Sequence, residues 1–334
     1  MLTITQLRKF EGGHWHSDNL EALPTEISGD SILWVDAEDP TEAELQQLRS
    51  HFSVENLNLR NFDTPGMRSK IEENEDRVDC FISFPDSEKF IPDAKATWVS
   101  LTISSRWIIS VHRGHSNITC EIYKKISSHG YSALSLQPST DILLYIFLDL
   151  ILNECFLVSD LVHDRLQGLS QEAGSRFRQR EEARRNLGLE ISRSREQVLH
   201  LRQFIGPLRE VVGRVARGEF LIVSSATLAR FDDLYERIIS LIDVVDTHRE
   251  EVQDIVDLVI NAQTLTTNNI IRVLTIISAI FLPLTLIAGI YGTNFGRGFS
   301  IPGSNSDFGF EVMIVSMVAV AASLIVVFRR KGWL

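Results

Sequence analysis

The sequence predicts an α/β N-terminal cytoplasmic domain, then a long α-helical stalk, then two C-terminal transmembrane helices. Three observations carry this prediction: short runs of β-forming residues in the first part, a long helical stretch in the middle, and two uncharged runs near the end. We place the boundaries at residues 1–138 for the α/β domain, 139–269 for the helical bundle and stalk, and 270–334 for a transmembrane hairpin whose outer loop spans 291–311.

The first part alternates strand and helix signals. The stretch Thr41 to Phe52 predicts a helix, with Thr41 as its N-cap and Glu44 three residues later completing a capping box. Stretches rich in Val, Ile, Phe, Trp and Thr predict four strands, at 32–36, 77–84, 98–103 and 107–112.

From Asp141 the apolar residues follow helical spacing. One amphipathic helix is expected over 141–166 and a second over 172–217, interrupted and kinked at Gly206-Pro207. A third begins near Ser225 and contains no glycine or proline before Pro283. If it continues to Ile290 it is roughly 95 Å long, too long for one domain core to hold. We therefore expect it to pack against copies of itself in a homo-oligomer.

The uncharged runs cover residues 273–290 and 312–328, and each is long enough to cross a hydrocarbon layer of about 30 Å. The alternative is two buried helices of a large soluble core. The close pairing of the runs, their lengths, and the basic residues Arg329, Arg330 and Lys331 directly after the second favour the membrane. These cations and Arg272 flank the hairpin, so the positive-inside rule places both termini in the cytoplasm and the loop outside the inner membrane.

Composition excludes several function classes. A net charge of −11 without a basic patch argues against nucleic acid as a partner. Cys80, Cys120 and Cys155 are widely spaced and odd in number, which predicts reduced thiols rather than disulfides or a zinc site. The N-terminus lacks the pattern of a signal peptide.

Catalysis has no candidate group of residues in the sequence, so we expect no enzyme and no cofactor. A nucleophile elbow, a glycine-rich phosphate loop and a His-Glu-x-x-His motif are all absent from the sequence. Two histidine pairs, His14 with His16 and His112 with His115, each lack a third metal ligand, so a packing or surface role is favoured for them.

Small polar and apolar residues alternate along one face of the third helix. The polar set is Asn261, Thr264, Asn268, Thr275, Ser278, Thr285 and Asn294, and the interleaved set is Leu265, Ile271, Leu274, Leu282 and Gly289. In a symmetric ring of helices such a face would line an ion pathway with hydrophobic constrictions. The alternative for any one position is a polar contact between neighbouring helices.

Asn294 stands at the outer end of the first span. Its amide oxygen, repeated around an axis, offers neutral acceptors to the water shell of a cation such as Mg²⁺, which dehydrates reluctantly. Gly292 beside it allows the helix to end with carbonyl groups directed at the axis.

The segment Ala288-Gly289-Ile290-Tyr291-Gly292-Thr293-Asn294-Phe295, with the preceding run from Val273, resembles the pore of the CorA superfamily of divalent-cation channels. Trp34-Val35-Asp36 followed by Asp39-Pro40, and the closing Arg330-Lys331-Gly332-Trp333-Leu334, are similar as well. The resemblance implies a homopentamer with a cytoplasmic funnel and no cofactor, in which a divalent cation is both the transported and the regulatory ion.

The resemblance also implies roles for individual residues. It assigns the pore to Asn268, Ile271, Leu274, Leu282 and Thr285, the outer selectivity ring to Gly292, Thr293 and Asn294, and a basic ring to Arg329, Arg330 and Lys331. It assigns divalent-cation sensing between subunits to Asp233 and Asp86, with Asp257 as a further acidic position. Carboxylates of adjacent subunits repel one another unless a cation lies between them.

The outer loop departs from the magnesium-channel pattern. Ile301-Pro302-Gly303-Ser304 stands where those channels carry Met-Pro-Glu-Leu, and Arg297 adds a positive charge. This loop is similar to the zinc-transporting ZntB branch, yet no His or Cys occurs from Asn261 onward to bind zinc directly. We expect Mg²⁺, with Co²⁺ or Ni²⁺ as further ions. The alternatives are ZntB-like zinc transport, with or without proton coupling, and a non-conducting membrane sensor.

Overall fold

The computed structural model describes residues 2–9, 15–27, 29, 31–54, 57, 68–74, 76–88, 90, 96–114, 116–128, 138–176, 181–292 and 309–333. Contacts between residues divide the chain into two compact units, residues 1–256 and residues 257–334. The first contains a β-sheet and several helices, and the second contains mainly the apolar C-terminal helices.

A seven-stranded sheet organises the first unit, in the order β2-β1-β3-β7-β6-β5-β4. Neighbouring strands are antiparallel except β3 and β7, which pair in parallel. The strands are β1 (Leu2–Lys9), β2 (Trp15–Leu20), β3 (Ile32–Glu38), β4 (Lys70–Asn74), β5 (Arg77–Pro85), β6 (Ala96–Ser104) and β7 (Trp107–His112).

Six helices accompany the sheet in the described part of the chain. They are α1 (Glu42–Phe52), α2 (Asn117–Ser128), α3 (Thr140–Arg176), α4 (Glu181–Ala216), α5 (Ser225–Gly292) and α6 (Gly309–Arg330). Helix α3 packs against α2, α4 and β5, and α4 also contacts β4 and β5.

The predicted capping box at α1 is confirmed. The backbone N–H of Glu44 donates to Thr41 Oγ1 at 3.3 Å, and the backbone N–H of Thr41 donates to Glu44 Oε2 at 2.8 Å. The hydrogen bonds from the Thr41 backbone and hydroxyl lower the pKa of the Glu44 carboxyl. Two donors that a helix start leaves open are satisfied in this way.

The four predicted strands are confirmed as β3, β5, β6 and β7. The sequence analysis did not predict strands β1, β2 and β4. Strands β2 and β4 lie at the two edges of the sheet, where polar side chains replace the apolar alternation, whereas β1 lies inside the sheet between β2 and β3. Among the helices, α3 extends to Arg176, ten residues beyond the predicted end at 166. Helix α4 begins at Glu181 and is continuous through Gly206-Pro207 instead of being interrupted there.

The long third helix is confirmed as α5, which begins at Ser225 and ends at Gly292. Its start is fixed by Asp141 at the beginning of α3. Asp141, 1% exposed, accepts the backbone N–H of Ser224 at 2.9 Å and that of Ile142 at 2.9 Å. Further along, Arg237 donates to Asp149 at 2.5 Å and to Asn153 at 2.6 Å on α3. These contacts hold the first part of α5 against α3.

Three described helices are long and apolar enough to cross a membrane, α3, α5 and α6. The apolar stretch of α3 is 72% buried within the chain, whereas those of α5 and α6 are 6% and 0% buried. The hydrophobicity of α3 is therefore explained by its position in the core of the first unit. The described residues of the chain leave the apolar stretches of α5 and α6 almost entirely uncovered.

The thiols of the first unit agree with the expectation of free cysteines. Cys80 and Cys155 are buried and Cys120 is half-buried, and none is in a disulfide. Burial raises the pKa of the Cys80 and Cys155 thiols, which keeps them protonated and unreactive.

His112 has a packing role in the core. Its Nδ1 lies 2.9 Å from the Gly114 carbonyl oxygen and its Nε2 lies 3.3 Å from Asp36 Oδ1. Since Nδ1–H donates to the carbonyl, Nε2 faces the carboxylate and is better placed protonated. Burial lowers the pKa of His112, but the hydrogen bond and charge of Asp36, with the Gly114 carbonyl, raise it above its usual value overall.

The stability of the first unit should depend on the protonation of His112. Because the folded-state pKa is raised, the stabilisation is complete below about pH 6.5, the unfolded-state value, and is lost as pH rises through the folded-state pKa. Urea unfolding of the detergent-solubilised full chain should therefore show wild type losing more stability than His112→Gln between mildly acidic and alkaline pH. The control variant His51→Gln, at an exposed histidine, should lose as much stability with rising pH as wild type does. Equal pH dependence of the unfolding free energy in wild type and His112→Gln would contradict the stabilising role of His112.

Candidate functional site

The part of α5 in the second unit carries most of the positions that the sequence predicts to line a pore. The helix is uninterrupted from Ser225 to Gly292, so these positions have fixed angular relations at about 100° per residue. A sector of about 120° on this helix contains Asn268, Ile271, Leu274, Thr275, Ser278, Leu282, Thr285, Gly289 and Gly292. Most of the predicted alternation of polar and apolar residues therefore lies along one continuous stripe, which we call the pore face, whereas Leu265, predicted for the same face, lies about 60° beyond its edge at Asn268.

The apolar members of the pore face are exposed within the single chain. Leu282 is 77% exposed, Leu274 63% and Ile271 54%. Apolar residues elsewhere around the same helix, such as Val273 at 57%, are exposed as well. Such a surface is unstable in water, so lipid or protein must cover it.

The two threonine hydroxyls on the pore face are hydrogen-bonded within the helix. Thr275 Oγ1 donates to the Ile271 carbonyl at 2.8 Å, and Thr285 Oγ1 donates to the Phe281 carbonyl at 2.8 Å. Each donor is satisfied without a partner outside the helix, and the oxygen lone pairs stay available. The face can thus lie beside apolar neighbours and still present acceptors to a hydrated cation.

The second apolar helix, α6, ends in a Schellman motif. Gly332, at φ 70°, donates its N–H to the Arg329 carbonyl at 3.2 Å, and Trp333 donates to the Phe328 carbonyl at 2.9 Å. The Trp333 and Phe328 rings stack with centroids 5.7 Å apart. This cap places an aromatic ring beside the exposed basic residues Arg329, Arg330 and Lys331, a combination typical of a membrane–water boundary.

Several predicted residues lie outside the described part of the chain. Thr293 and Asn294 follow the last described residue of α5, and Arg297 and the stretch 301–304 belong to the same gap. His14 and His115, one member of each histidine pair, are also outside it.

The three predicted regulatory carboxylates occupy different surroundings. Asp233 and Asp257 are exposed on α5. Asp86 is half-buried after β5, where its carboxylate accepts the backbone N–H of Glu88 at 3.1 Å and the Thr97 hydroxyl at 3.4 Å. These contacts stabilise the turn of Asp86 and join it to β6.

Asp86 also lines a cavity of about 100 Å³ together with Glu88 and Glu154. Glu154, on α3, accepts the backbone N–H of Ser87 at 2.7 Å. Three carboxyl groups therefore line this space, two of which already accept backbone N–H groups.

Helices α3 and α5 bring together a group that the sequence did not predict, His163, His248 and Glu251. His248 and Glu251 are three residues apart and share a helix face, which is a local signal. His163 is 85 positions from His248, and only the packing of α3 on α5 reveals that it belongs with them.

Comparison with known proteins agrees with this architecture. A family model described as "CorA-like Mg2+ transporter protein" matches residues 29–330. The chain is 27% identical to the cobalt/magnesium transport protein CorA of Thermotoga maritima over 87% of its own length and 80% of that protein. It is 24% identical to the protein of the same name from Methanocaldococcus jannaschii, over 91% and 92% of the two chains.

Solved structures show the same fold. The complete CorA magnesium transporter of Methanocaldococcus jannaschii matches with a TM-score of 0.81 at 21% identity, covering 99% of this chain and 98% of that one. The ZntB cytoplasmic domain of Vibrio parahaemolyticus matches with a TM-score of 0.59 at 12% identity, over 79% of this chain and 98% of that domain.

The family model assigns the chain to a class of metal-ion transporters, and the two exposed apolar C-terminal helices have the length and composition of membrane spans. The chain belongs to the CorA-like Mg²⁺ transporter family. The predicted fold class and the predicted superfamily are both confirmed.

Proposed function

We propose that this protein is a passive pathway for hydrated divalent cations, Mg²⁺ first with Co²⁺ and Ni²⁺ as further ions, formed by five copies of α5 around an axis. The pore face of α5 carries the proposal, because one stripe of an uninterrupted helix presents neutral acceptors and apolar residues in alternation. A ring of such helices forms narrow apolar constrictions separated by polar steps. The exposed apolar side chains are then covered by neighbouring copies and by lipid.

The proposed membrane arrangement has two spans, the C-terminal part of α5 and most of α6. The two spans cross the inner membrane, both termini lie in the cytoplasm, and residues 291–311 form the loop on the outer side. Arg272 and the basic ring flank the hairpin on its cytoplasmic side, in agreement with the positive-inside rule. In this arrangement residues 1–138 and 139–269 form the cytoplasmic α/β domain and the bundle with its stalk.

Selection of the ion is assigned to the end of α5. Gly292, Thr293 and Asn294 form the outer ring, where amide and backbone oxygens bind the water shell of the cation instead of the bare ion. Imidazole and thiolate ligands, which favour zinc, are absent from the sequence after Asn261. This favours a hydrated hard cation over direct zinc coordination.

Regulation is assigned to carboxylates between subunits, above all Asp233. An internal Mg²⁺ ion between Asp233 and an acidic group of the neighbouring copy, such as Asp86, would hold the cytoplasmic part closed. Loss of the ion leaves like charges facing one another and loosens the contact. Asp257, further along α5, adds negative charge along the proposed ion pathway.

Asp233→Asn should weaken closure by internal Mg²⁺. Removing one carboxylate per subunit is expected to raise the half-inhibiting internal Mg²⁺ concentration by about fivefold or more, the size of a typical coupling between two sites. Flux into proteoliposomes loaded with graded internal Mg²⁺ measures this shift. Asp232→Asn, at the adjacent exposed carboxylate, is the matched control. Equal shifts for the two variants would remove Asp233 from the regulatory site.

The proposed function is tested by ion flux into proteoliposomes containing the full chain. Entry of Mg²⁺ without a pH gradient supports the passive channel. Zinc entry that collapses when a proton gradient is removed would instead support a ZntB-like transporter. No flux of either ion, with the protein folded and inserted, would support a membrane sensor that does not conduct.

A further inference from the structure

Two histidines and one glutamate meet between α3 and α5 inside the first unit. His163 Nδ1 lies 3.4 Å from Glu251 Oε2, and His248 Nδ1 lies 3.4 Å from the same oxygen. The two imidazole rings face one another with centroids 5.4 Å apart. One ligand atom from each of the three residues lies within 4.8 Å of the others.

These separations fit a common metal ion. In a tetrahedral zinc site with bonds of about 2.0–2.1 Å, two ligand atoms are about 3.3 Å apart. Both nitrogen-to-carboxylate distances are close to that value. An ion placed among the three atoms needs only small side-chain adjustments, because the two helices already hold the ligands together.

On the inward side of the cluster His248 Nδ1 is hydrogen-bonded to Glu251 Oε2 at 3.4 Å, whereas His163 Nδ1 is not bonded. His163 Nδ1 is buried and has no hydrogen-bond partner, since its geometry towards Glu251 is not that of a hydrogen bond. A buried nitrogen without a partner costs free energy, and a metal ion at this point would satisfy it.

The outward nitrogens of both rings have partners on α3. Ser159 Oγ lies 3.0 Å from His248 Nε2, and the Gln167 side-chain amide lies 2.8 Å from His163 Nε2. In the metal-free chain His248 Nδ1–H donates to Glu251 Oε2 at 3.4 Å and Ser159 Oγ–H donates to Nε2. When a metal ion binds Nδ1, the proton moves to Nε2, which then donates to Ser159 Oγ. Gln167 Nε2–H donates to His163 Nε2 as placed, and a flip of the side-chain amide lets Gln167 Oε1 accept from Nε2–H instead, which frees the Nδ1 lone pair of His163 for a metal ion. Metal-binding histidines are usually held by a second hydrogen bond of this kind.

Access and burial also suit an ion site. His248 is 5% exposed at its side chain, while His163 and Glu251 are 38% and 33% exposed. One ligand is therefore fixed in the core and the other two border solvent. Water can enter from that side and complete the coordination.

We propose that His163, His248 and Glu251 bind one late first-row divalent cation of the Zn²⁺ class, with water as the fourth ligand. Two imidazoles and a carboxylate suit Zn²⁺ and Co²⁺, whereas Mg²⁺ requires a near-octahedral set of oxygens. The bound ion joins α3 to α5 within one subunit. The site does not depend on which ion the pore conducts, or on conduction at all.

Binding of Co²⁺ to the purified full chain in detergent tests this site. With excess Mg²⁺ present to occupy oxygen sites, wild type should show the intense visible absorption of four-coordinate Co²⁺ at one ion per chain, and Zn²⁺ should abolish it. His163→Gln and Glu251→Gln should each weaken Zn²⁺ binding by more than about 100-fold, and Ser159→Ala by about 10- to 100-fold. The partly exposed positions of His163 and Glu251 make both ligand variants compatible with folding, which circular dichroism verifies.

His200→Gln is the matched control. His200 lies on α4 outside the cluster, with its Nε2 3.8 Å from Glu196 Oε1, so its loss should change Zn²⁺ affinity less than about twofold. Equal Zn²⁺ affinity in wild type, His163→Gln and Glu251→Gln would overturn the proposal, as would a six-coordinate Co²⁺ spectrum. If Zn²⁺ were bound in the pore instead, His163→Gln and Glu251→Gln would keep the Zn²⁺ affinity of wild type, because both variants leave the pore unchanged.

Discussion

Replacing Asn294 with alanine is expected to reduce Mg²⁺ flux through the reconstituted protein by at least roughly tenfold. A hydrogen bond to a charged partner contributes about 1.5–3 kcal/mol, and each subunit would lose one such contact to the hydrated ion. The loss falls on the first polar ring that an ion meets in the proposed pathway. Flux measured with an Mg²⁺-sensitive dye inside proteoliposomes reports the change.

The control for this prediction is Asn269→Ala. Asn269 is exposed on α5 but lies about 100° around the helix from Asn268, away from the pore face. Its removal should leave flux within about twofold of wild type, the effect of an ordinary surface substitution. A non-conducting sensor would tolerate Asn294→Ala, so unchanged function in that variant would exclude a selectivity role for Asn294.

Replacing Leu282 with asparagine is expected to make the protein conduct when internal Mg²⁺ is high. Leu282, 77% exposed within one chain, would form an apolar ring on the axis where water is excluded in the closed state. Burying a leucine side chain is worth about 1.5–3 kcal/mol, so a polar ring should raise the residual flux by roughly tenfold or more. Flux at closing internal Mg²⁺ concentrations measures the effect.

Ile277→Asn is the matched control for the constriction. Ile277 is 49% exposed and lies about 140° around the helix from Leu282, outside the pore face. It introduces the same polar group into the same helix, so any general destabilisation should appear in both variants. Comparable leak in the two variants would show that the Leu282 ring is not a gate.

Local signals in the sequence predicted much of the fold. The capping box at Thr41 and Glu44, the four central strands and the start of α5 depend on neighbouring residues, and the structure has them where they were expected. The grouping of the predicted residues on one side of α5 was equally predictable, because one continuous helix fixes which residues share a face, and their role in lining a pore stays a prediction.

Features that depend on tertiary packing were not predictable in the same way. The continuity of α4 through Pro207 and the extension of α3 to Arg176 reflect tertiary packing that overrides local breaking signals. Edge strands β2 and β4 carry too few apolar residues to show a period of two. The group of His163, His248 and Glu251 joins distant parts of the chain.

The exposure of individual cysteines along α5 tests the central claim that one face of this helix lines an aqueous pathway. In a Cys120→Ala background, single cysteines at Ile271, Ser278 and Thr285 are compared with partners two residues later, at Val273, Ile280 and Ile287, about 200° around the helix. The buried thiols of Cys80 and Cys155 have raised pKa values and should not react. We predict that a small hydrophilic thiol reagent modifies the first three positions and blocks Mg²⁺ flux, while their partners stay unmodified. Equal labelling of both sets, or labelling of the partners alone, would contradict a pore lined by this face.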